Sequence, residues 1–522
     1  NPGWYTAYTP YQAEISQGRL ETLYYFQKMI QEITNLPISN ASMLDQGSTS
    51  AEVISMSKAF HKNKRTNYYA SETLHPYILD ILETKCDVQG IDLKIGNLDN
   101  VSIDDNTIGV MFQYPDTNGD IKIPKDLIQD CNQNKSVVSC STDLLALTKY
   151  VSPGELGVDI TYGTAQRFGV PMYYGGPHAA FLACKSEFLR LMPGRIVGKS
   201  IDQTNNECFR LALQSREQHI RKEKSISNIC TSQALLANIS VLYGIYHGND
   251  GLLKIGNQIY DLTKKLKNIL DFLNIQVVND AYFDTLTIYN NYSYKIYQDL
   301  KRVGYLTHYD QNKPNYLTFS LDQTITEDDI DNIYKILKNY ITEKNDLDNK
   351  KVENKFLYRK TPYLQDDIFF KKWNETDFTR YVYNLSQKDY TLCEGMIPLG
   401  SCTMKLNAAF QLEPMSWEEV GNVHPFLPDE YIKGYKELIE KTGNDLKNIT
   451  GFNHVSFQSN SGATGEYTAL LCIRKYHDYK RTICLIPKSA HGTNFASASM
   501  AGMKIVSFDD KIFDNIKEFE KL

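Results

Sequence analysis

Ile449-Thr450-Gly451-Phe452 opens a stretch that runs through Asn460-Ser461-Gly462 to His477, and Ile33-Thr34-Asn35-Leu36 opens a similar one through Asp45-Gln46-Gly47 to His61. Each stretch continues into a short extended segment and then a histidine, His491 in the later copy and His75 in the earlier one. The two openings lie 416 positions apart (449 less 33). Solenoid repeats recur every ~20–50 residues, so this longer period indicates two similar units in tandem. The later copy stops short, and we expect the chain to be a fragment of a longer protein.

The composition is that of an ordinary globular protein. Of the 522 residues, 42% are hydrophobic and 23% are charged, and the formal net charge is −6. A negative charge disfavours nucleic acid as a partner, because nucleic-acid binding needs a basic face. No run of ~18 or more apolar residues is present, so we expect no membrane span. The opening residues 1–4 lack the basic and apolar segments of a signal peptide, although a transit peptide could precede them.

The cysteines point to no metal site and no disulfide framework. There are 10 of them, without a C-x-x-C pair, so neither a zinc site nor a disulfide scaffold is predicted. Cys184 and Cys472 lie in apolar runs. We therefore expect buried free thiols in a reducing compartment.

Hydrophobic periodicity predicts helices that alternate with short strands. Helices are expected over 14–35, 51–61, 77–83 and 232–246, and strands or apolar runs over 109–114, 144–147 and 159–162. Such alternation is typical of βαβ units in a mostly parallel sheet, so the expected fold class is α/β. A smaller α+β part is expected over 251–337, with strands at 285–288 and 316–319. The charged stretch 338–360 is expected to be a solvated linker.

Residues 460–465 (Asn-Ser-Gly-Ala-Thr-Gly) precede an apolar-striped helix and are a candidate anion site. Small residues at a helix start leave backbone N–H groups free to face an anion, which the helix dipole also favours. The same residues are typical of a simple N-cap that binds nothing. In the earlier copy, Asp45 is taken to fall where Asn460 falls, and its carboxylate would repel a phosphate. The later copy is therefore the better candidate.

The histidines that follow the two extended segments are interpreted differently. His491 follows the segment 483–487, and a residue at the carboxyl end of a strand in an α/β sheet lies near the ligand crevice. Packing in a turn is an equal alternative for His491. The matching His75 has no credible anion site beside it, so we interpret it as structural.

Three further segments have less certain roles. The turn-rich loop 396–407 either lines a site or is a surface connection, and we assign no Schiff-base role to Lys405 within it because most lysines are solvated. Residues 159–169 predict a strand and a turn, but no lysine occurs between positions 150 and 184. That turn therefore has no amine for a Schiff base. Residues 217–221 predict a charged helix start without an assigned acid–base role.

Taken together, these motifs resemble the glycine decarboxylase (P-protein) family of the glycine cleavage system. The matching segments are residues 4–12, 14–19, 165–171, 214–221, 227–231, 396–407, 421–426 and 489–501. The resemblance covers nearly the whole chain and is weakest over 85–150 and 270–390. It implies a tandem pair of fold type I pyridoxal-phosphate transferase-like units, of which only the second binds cofactor.

The resemblance also implies a division of the chain. Residues 1–248 would form the large α/β domain of the first, cofactor-free unit, and 249–337 its small α+β domain. Residues 338–390 would be a linker and lead-in, and 391–522 the start of the second unit, which would bind cofactor. We call residues 1–337 the first unit and residues 391–522 the second unit.

The site residues expected from the resemblance lie mostly in the second unit. The cofactor, pyridoxal 5′-phosphate, would be bound by Asn460, Ser461, Gly462, Ala463, His491 and Thr493. Of these, residues 461–463 would hold the phosphate and His491 would stack on the pyridine ring. The glycine pocket would be formed by Ser401, Cys402, Thr403, Tyr8 and Gln12, the last two reaching across the domain interface.

No catalytic residue is expected in this chain. Gln166 stands where the second unit would carry the Schiff-base lysine, and the resemblance puts that lysine beyond Leu522. The complete protein would be active and this chain alone would not.

The implied activity is that of glycine dehydrogenase (decarboxylating). The enzyme would decarboxylate glycine and transfer an aminomethyl group to the lipoyl group of H-protein. We expect the other glycine cleavage proteins as partners, a homodimer, and no nucleic acid or membrane. The compartment would be the cytoplasm in a bacterium and the mitochondrial matrix in a eukaryote. Two alternatives stay open: a cofactor-free scaffold subunit, and another fold type I amino-acid decarboxylase.

Overall fold

The computed structural model describes residues 2–7, 9–10, 12–213, 220, 225, 227–229, 232–341, 358–396, 408–514 and 516–520. Its longer helices are α1 (Gln17–Thr34), α2 (Gln46–Phe60), α3 (Pro76–Gln89), α4 (Lys125–Asn134), α5 (Ala234–Phe272), α6 (Ser293–Arg302), α7 (Glu327–Leu337), α8 (Glu375–Ser386), α9 (Lys433–Thr450), α10 (Gly462–Tyr476) and α11 (Gly492–Met500). Its strands are β1 (Ile38–Ser39), β2 (Asn67–Ser71), β3 (Asp92–Gly96), β4 (Thr107–Tyr114), β5 (Val137–Thr142), β6 (Ile160–Thr164), β7 (Ala180–Cys184), β8 (Ile196–Ile201), β9 (Glu207–Ala212), β10 (Gln276–Val277), β11 (Thr285–Tyr289), β12 (Tyr316–Ser320), β13 (Ile483–Pro487) and β14 (Lys504–Phe508).

A seven-stranded sheet forms the centre of the first unit. Its strand order is β1-β7-β6-β5-β4-β2-β3. The strands from β3 to β6 in that order are parallel to one another, whereas β7 is antiparallel to β6 and to β1. The predicted α/β class with a mostly parallel sheet is thus confirmed.

Helices cover both faces of this sheet. Val110 and Phe112 of β4 belong to the core that includes α1 and α5, and Met111 between them belongs to the core that includes α2 and α3. This alternation is the period of two that a strand imposes on its side chains. Burial on both faces explains why β4 reads as a continuous apolar run in the sequence.

The α+β part predicted for 251–337 is present. Strands β10, β11 and β12 form a separate antiparallel sheet. Helix α5 continues well past the predicted end at 246, but it breaks at Gly248, which has φ 60° and ψ −171°. A Cβ at Gly248 would lie 2.3 Å from the Phe369 carbonyl oxygen, so only glycine fits. The break coincides with the expected domain boundary at 248, which stays a prediction.

Two predicted helices are longer in the structure than in the prediction. Helix α2 begins at Gln46 rather than 51, since the Asp45 side chain accepts the Ser48 backbone N–H. Helix α3 begins at Pro76 and runs to Gln89, and proline is favoured at a first helical position.

The described ends of the predicted solvated linker 338–360 are attached to the first unit at two residues. Tyr340 is buried, and the Arg359 guanidinium donates to the carbonyl oxygens of Ile33 and Leu147, the latter at 3.0 Å. Lys338, Asn339, Ile341, Tyr358 and Lys360 are exposed, so the two contacts attach the ends locally and the solvated linker stays a prediction. Residues 342–357 lie outside the described residues.

The duplication is confirmed with a constant offset. Helices α1 and α9 each have 18 residues, α2 and α10 each have 15, and β2 and β13 each have 5. Their starts differ by 416 in every case (433 less 17, 462 less 46, 483 less 67). Each copy also pairs its strand in parallel with the next one, β2 with β3 and β13 with β14.

The offset corrects one residue correspondence. The N-cap of α2 is Asp45 and the N-cap of α10 is Ser461, again 416 apart (461 less 45). Asp45 therefore matches Ser461, and the interpretation that it falls where Asn460 falls is wrong by one position. The Asp45 carboxylate of the first unit therefore occupies the position of the Ser461 hydroxyl in the second unit.

The expectation of buried cysteines holds for part of the chain. Cys86, Cys131, Cys140 and Cys184 are buried, but Cys472 is exposed. It lies in α10, where Leu470 packs against the cluster of Ile486, Phe495 and Ala498 but Cys472 faces solvent. Among the described residues, no helix is long and apolar enough to cross a membrane.

Candidate functional site

The start of α10 forms a cup of small residues, which we define as residues 460–463. Ser461 is in an extended conformation (φ −155°, ψ 163°) and its hydroxyl accepts the Thr464 backbone N–H at 3.2 Å. A Cβ added at Gly462 would meet nothing within 4 Å, so the cup is open. The first N–H groups of a helix have no intrahelical acceptor. The cup therefore offers amides, a hydroxyl and a helix dipole to an anion.

His491 occupies the start of the neighbouring helix, α11. Its Nδ1 accepts the Thr493 backbone N–H at 3.2 Å, which makes it the N-cap residue of α11. Because Nδ1 is the acceptor, the proton of a neutral ring is on Nε2. This hydrogen bond holds the imidazole ring at the carboxyl end of β13. His491 is thus both a residue that packs in a turn and a residue at the edge of the sheet where a ligand crevice is expected.

Helices α10 and α11 are held side by side. The Ser497 hydroxyl of α11 lies 3.1 Å from Glu466 Oε2 and 3.4 Å from the Ala463 carbonyl oxygen, both on α10. Phe495 and Ala498 are buried against Ile486 of β13. The structure thus brings the cup and His491 to the same edge of the β13–β14 pair.

Thr493, the last expected cofactor residue, faces a different neighbour. It is 9% exposed, and its carbonyl oxygen accepts the Asn228 side-chain amide of the first unit at 3.3 Å. Asn228 also donates to the Ser497 hydroxyl at 2.8 Å. The α11 start is therefore docked on the first unit, a role that sequence reasoning did not assign to Asn228.

The equivalent corner of the first unit is filled by the chain's own groups. The Asp45 carboxylate accepts the Ser48 backbone N–H at 2.7 Å and the Ser48 hydroxyl at 2.9 Å, so an anion is already present at the start of α2. Behind it, the Gln46 amide donates to the Ser141 hydroxyl at 2.8 Å. The carboxylate occupies the donors that a phosphate would need and would repel its charge.

His75 is the N-cap residue of α3 in the first unit, as His491 is of α11, but its side chain makes no capping hydrogen bond and its ring has a protein partner instead. It stacks on Phe426 of the second unit with ring centroids 5.6 Å apart and planes 16° apart. Burial, with His308 and His424 nearby, lowers the pKa of His75 to about 4. Its ring is therefore neutral at physiological pH. The structural role expected for His75 stays a prediction that this stack supports.

Gln166 lies in the turn after β6. Its backbone N–H donates to the Thr164 hydroxyl at 3.0 Å and its side-chain amide donates to the Pro171 carbonyl oxygen at 3.2 Å. The glutamine is thus engaged within its own turn. It offers an amide where a Schiff base requires an amine.

Most of the expected glycine-pocket residues lie outside the described residues, namely Ser401, Cys402, Thr403 and Tyr8. Gln12 is exposed and its carbonyl accepts the Ile15 N–H at 3.3 Å. Ala7 forms a β-bridge with Thr391, and the Thr6 hydroxyl lies 3.6 Å from Cys393 Sγ. The N-terminal segment therefore runs beside the residues that lead into the loop 396–407.

A buried ion pair that sequence reasoning missed fixes this lead-in. Asp389 Oδ1 accepts the Gly18 backbone N–H at 2.8 Å, and its Oδ2 lies 3.5 Å from Arg19 Nε. Burial raises the pKa of Asp389 to about 6, although Arg19 opposes the shift. No local pattern signals a pair between residues so far apart in the chain.

The donor set of the cup fits the phosphate of pyridoxal 5′-phosphate. A phosphate needs several N–H and O–H donors that converge at a helix start, and residues 461–463 provide them without a carboxylate among them. An aromatic ring beside the phosphate also needs a flat neighbour, which His491 supplies. The corner around Asp45 in the first unit does not fit.

Comparison with known proteins identifies the family. The family model "Glycine cleavage system P-protein" matches residues 1–337. The chain belongs to the glycine cleavage system P-protein family. The mitochondrial glycine dehydrogenase (decarboxylating) of Solanum tuberosum is 45% identical over 100% of this chain and 51% of its own length. That of the bacterium Psychromonas ingrahamii is 44% identical over 97% of this chain and 54% of its own length.

The chain thus spans about half the length of the curated P-protein relatives that it matches. A crystal structure of glycine decarboxylase (P-protein) of the glycine cleavage system, in inhibitor-bound form, is 28% identical and has a TM-score of 0.60. It covers 64% of this chain, which covers 78% of that structure. The likeness confirms the fold class expected of fold type I pyridoxal-phosphate enzymes.

Proposed function

We propose that the protein decarboxylates glycine with pyridoxal 5′-phosphate and passes the aminomethyl group to the lipoyl group of H-protein. The observation that carries the proposal is the repeated strand–helix corner, acidic at Asp45 and small and open at residues 460–463. It occurs in a chain 45% identical to a protein named glycine dehydrogenase (decarboxylating). The second unit would then bind the cofactor for the reaction, and the first unit would have a supporting role.

The cofactor residues of the proposal lie at two helix starts. Ser461, Gly462 and Ala463 bind the phosphate through a hydroxyl and backbone amides, with Asn460 at the rim. His491, held by its cap on α11, orients the ring, and Thr493 keeps that cap docked on the first unit. Pyridoxal phosphate, when bound, supplies the electron sink for the electrons that carbon dioxide leaves behind.

The glycine pocket of the proposal combines both units. Ser401, Cys402 and Thr403 come from the loop 396–407, and Tyr8 and Gln12 from the N-terminal segment. The bridge between Ala7 and Thr391 supports this grouping, because it sets the segment beside the entrance of the loop. These residues would orient glycine and exclude water from it. The proposal also includes the domain boundaries expected from the sequence, which fall after residues 248, 337 and 390.

The partners follow from the same activity. We infer a lipoylated H-protein as the acceptor, the other glycine cleavage proteins as the assembly, and a homodimer as the oligomer. The relatives include mitochondrial plant proteins and a bacterial one. The compartment is then the mitochondrial matrix in a eukaryote and the cytoplasm in a bacterium.

The experiment that tests the proposal measures carbon dioxide released from labelled glycine by the full-length protein, with pyridoxal phosphate and lipoylated H-protein. Release from glycine that stops when H-protein is omitted is the expected result. His491→Phe keeps a flat ring and should retain part of the rate, whereas His491→Ala should lose at least ~100-fold, since a misplaced cofactor costs about that much. Release from a larger amino acid alone, or no cofactor binding at all, would contradict the proposal.

A further inference from the structure

Asp45 of the first unit touches the cup of the second unit. Its carboxylate accepts the Asn460 side-chain amide through Oδ2, the oxygen that also accepts the Ser48 hydroxyl at 2.9 Å. The other oxygen accepts the Ser48 backbone N–H at 2.7 Å. One carboxylate therefore joins the start of α2 to the residue directly before the N-cap of α10.

The local geometry makes this carboxylate a rigid anchor. The backbone N–H and the hydroxyl of Ser48 and the positive end of the α2 dipole hold it in place, and its backbone is extended, with φ −162° and ψ 169°. A hydrogen bond to an ionised acceptor is roughly twice as strong as a neutral one. Asn460, in contrast, is exposed and has no core to hold it.

We propose that Asp45 is a positioning residue for the cup: by holding the Asn460 amide, it fixes the backbone that enters Ser461. The Ser461 hydroxyl and the amides of Gly462 and Ala463 then converge on one phosphate. Asp45 itself does not touch the phosphate. The inference rests on the proposed function and deepens it, because it gives the cofactor-free unit a direct effect on cofactor affinity.

Other contacts between the units act elsewhere, so this one can be tested separately. Asn228 donates to Ser497 and to the Thr493 carbonyl oxygen, and the Ser499 hydroxyl lies 3.1 Å from the Ser225 carbonyl oxygen. All three contacts hold α11. Removing the Asp45 contact should loosen the start of α10 and leave α11 docked.

The test compares Asp45→Ser with Asp45→Asn in the full chain, with pyridoxal 5′-phosphate as the probe. Serine and asparagine are both good N-caps, so both variants keep α2 intact. Serine is too short to reach Asn460, whereas asparagine keeps an oxygen there. We expect Asp45→Ser to weaken pyridoxal phosphate binding about tenfold, the equivalent of one hydrogen bond to a charged group, and Asp45→Asn to weaken it less.

A second readout works without the cofactor. Amide hydrogen exchange of Thr464 and Gly465 should become faster by about tenfold in Asp45→Ser, while the amides of α11 stay as protected as before. The matched control is Asn374→Ser, a similar cap change at the start of α8, which should alter neither readout.

Each outcome separates the inference from the proposed function. If the wild-type protein binds no pyridoxal phosphate, the proposed function fails and the positioning role falls with it. If the wild type binds but Asp45→Ser is silent in both readouts, Asp45 only caps α2 and the inference alone is overturned. Tighter binding in both Asp45 variants would mean that the carboxylate only repels the phosphate, which also overturns it.

Discussion

The start of α2 with His75 in the first unit and the start of α10 with His491 in the second unit are two copies of one arrangement, which we call the corner. The two corners differ in charge. In both copies a strand leads to a histidine at the N-cap position of a helix, although only His491 makes a capping hydrogen bond with its side chain, and a 15-residue helix starts beside it. In the first unit the cap of that helix is the Asp45 carboxylate, and the histidine stacks on Phe426. In the second unit the cap is the Ser461 hydroxyl and the cup is open. Asp45 and Gln46 thus fill the first corner with the chain's own polar groups, whereas Ser461 and Gly462 leave the second one open.

The two units also differ in how the helix before the corner is packed. Gly18 and Gly434 are the second residues of α1 and α9. A Cβ at Gly18 would lie 1.9 Å from the Leu385 carbonyl oxygen, whereas one at Gly434 would meet nothing within 4 Å. The first copy is therefore locked to the lead-in segment of the second unit, and the second copy has no such lock among the described residues.

The largest expected effect comes from giving the second corner the chemistry of the first. Ser461→Asp should keep the cap of α10, since aspartate is as good an N-cap as serine. It should weaken pyridoxal phosphate binding by about 100-fold or more, because two like charges about 4 Å apart near a protein surface repel by about 4 kcal/mol. Calorimetric titration of the full-length protein measures this loss. Ser461→Asn is the control, and retained binding in Ser461→Asp would show that the phosphate lies elsewhere.

The paired glycines give the next largest effect. Gly18→Ala should destabilise the protein by about 3 kcal/mol, at the upper end for overpacking, because backbone atoms cannot move aside. Gly434→Ala should be neutral or stabilising by about 0.5 kcal/mol, since alanine is a better helix former. Urea unfolding of the two variants side by side measures both. Equal effects would mean that the two copies are packed alike.

Local patterns in the sequence predict much of this comparison. The alternation of helices and strands, the long-period duplication and the difference between an acid and small residues at the corner are all visible in neighbouring residues. The structure adds that Asp45 corresponds to Ser461, because each of them is the N-cap residue of the equivalent helix in its unit.

Contacts between residues distant in the chain could not be predicted in this way. Asp389 with Arg19, Phe426 with His75 and Asp45 with Asn460 each join segments hundreds of positions apart. Docking of the units decides these pairs, and propensity and periodicity carry no information about it. Cys472 shows the converse error, since it belongs to an apolar run but lies on the solvent side of its helix.

The buried pair of Arg19 and Asp389 predicts that the stability of the protein depends on pH. A carboxyl whose folded pKa is raised binds its proton more tightly in the native state, so its stabilising effect is full below the unfolded pKa and is lost as pH rises through the folded pKa. For Asp389 the folded pKa is about 6, so stability should fall by up to about 3 kcal/mol between about pH 4 and 6. Asp389→Asn, which stays neutral, should remove this slope in unfolding measurements. An unchanged slope would assign it to other groups.

The variant with the smallest expected effect tests whether the Phe426 ring keeps His75 buried in the first unit. Phe426→Ala should expose the His75 ring, and the pKa of His75 should rise from about 4 toward its ordinary value of about 6.5. Loss of one stacked pair should cost about 1 kcal/mol of stability. Phe426→Tyr keeps the stack and should leave the pKa low, so the pair of variants separates the ring from the backbone that carries it. A histidine proton NMR titration reads the pKa directly. If the pKa of His75 stays near 4 without the Phe426 ring, residues of the first unit must keep His75 buried. The first unit would then exclude solvent from this histidine without help from the second unit.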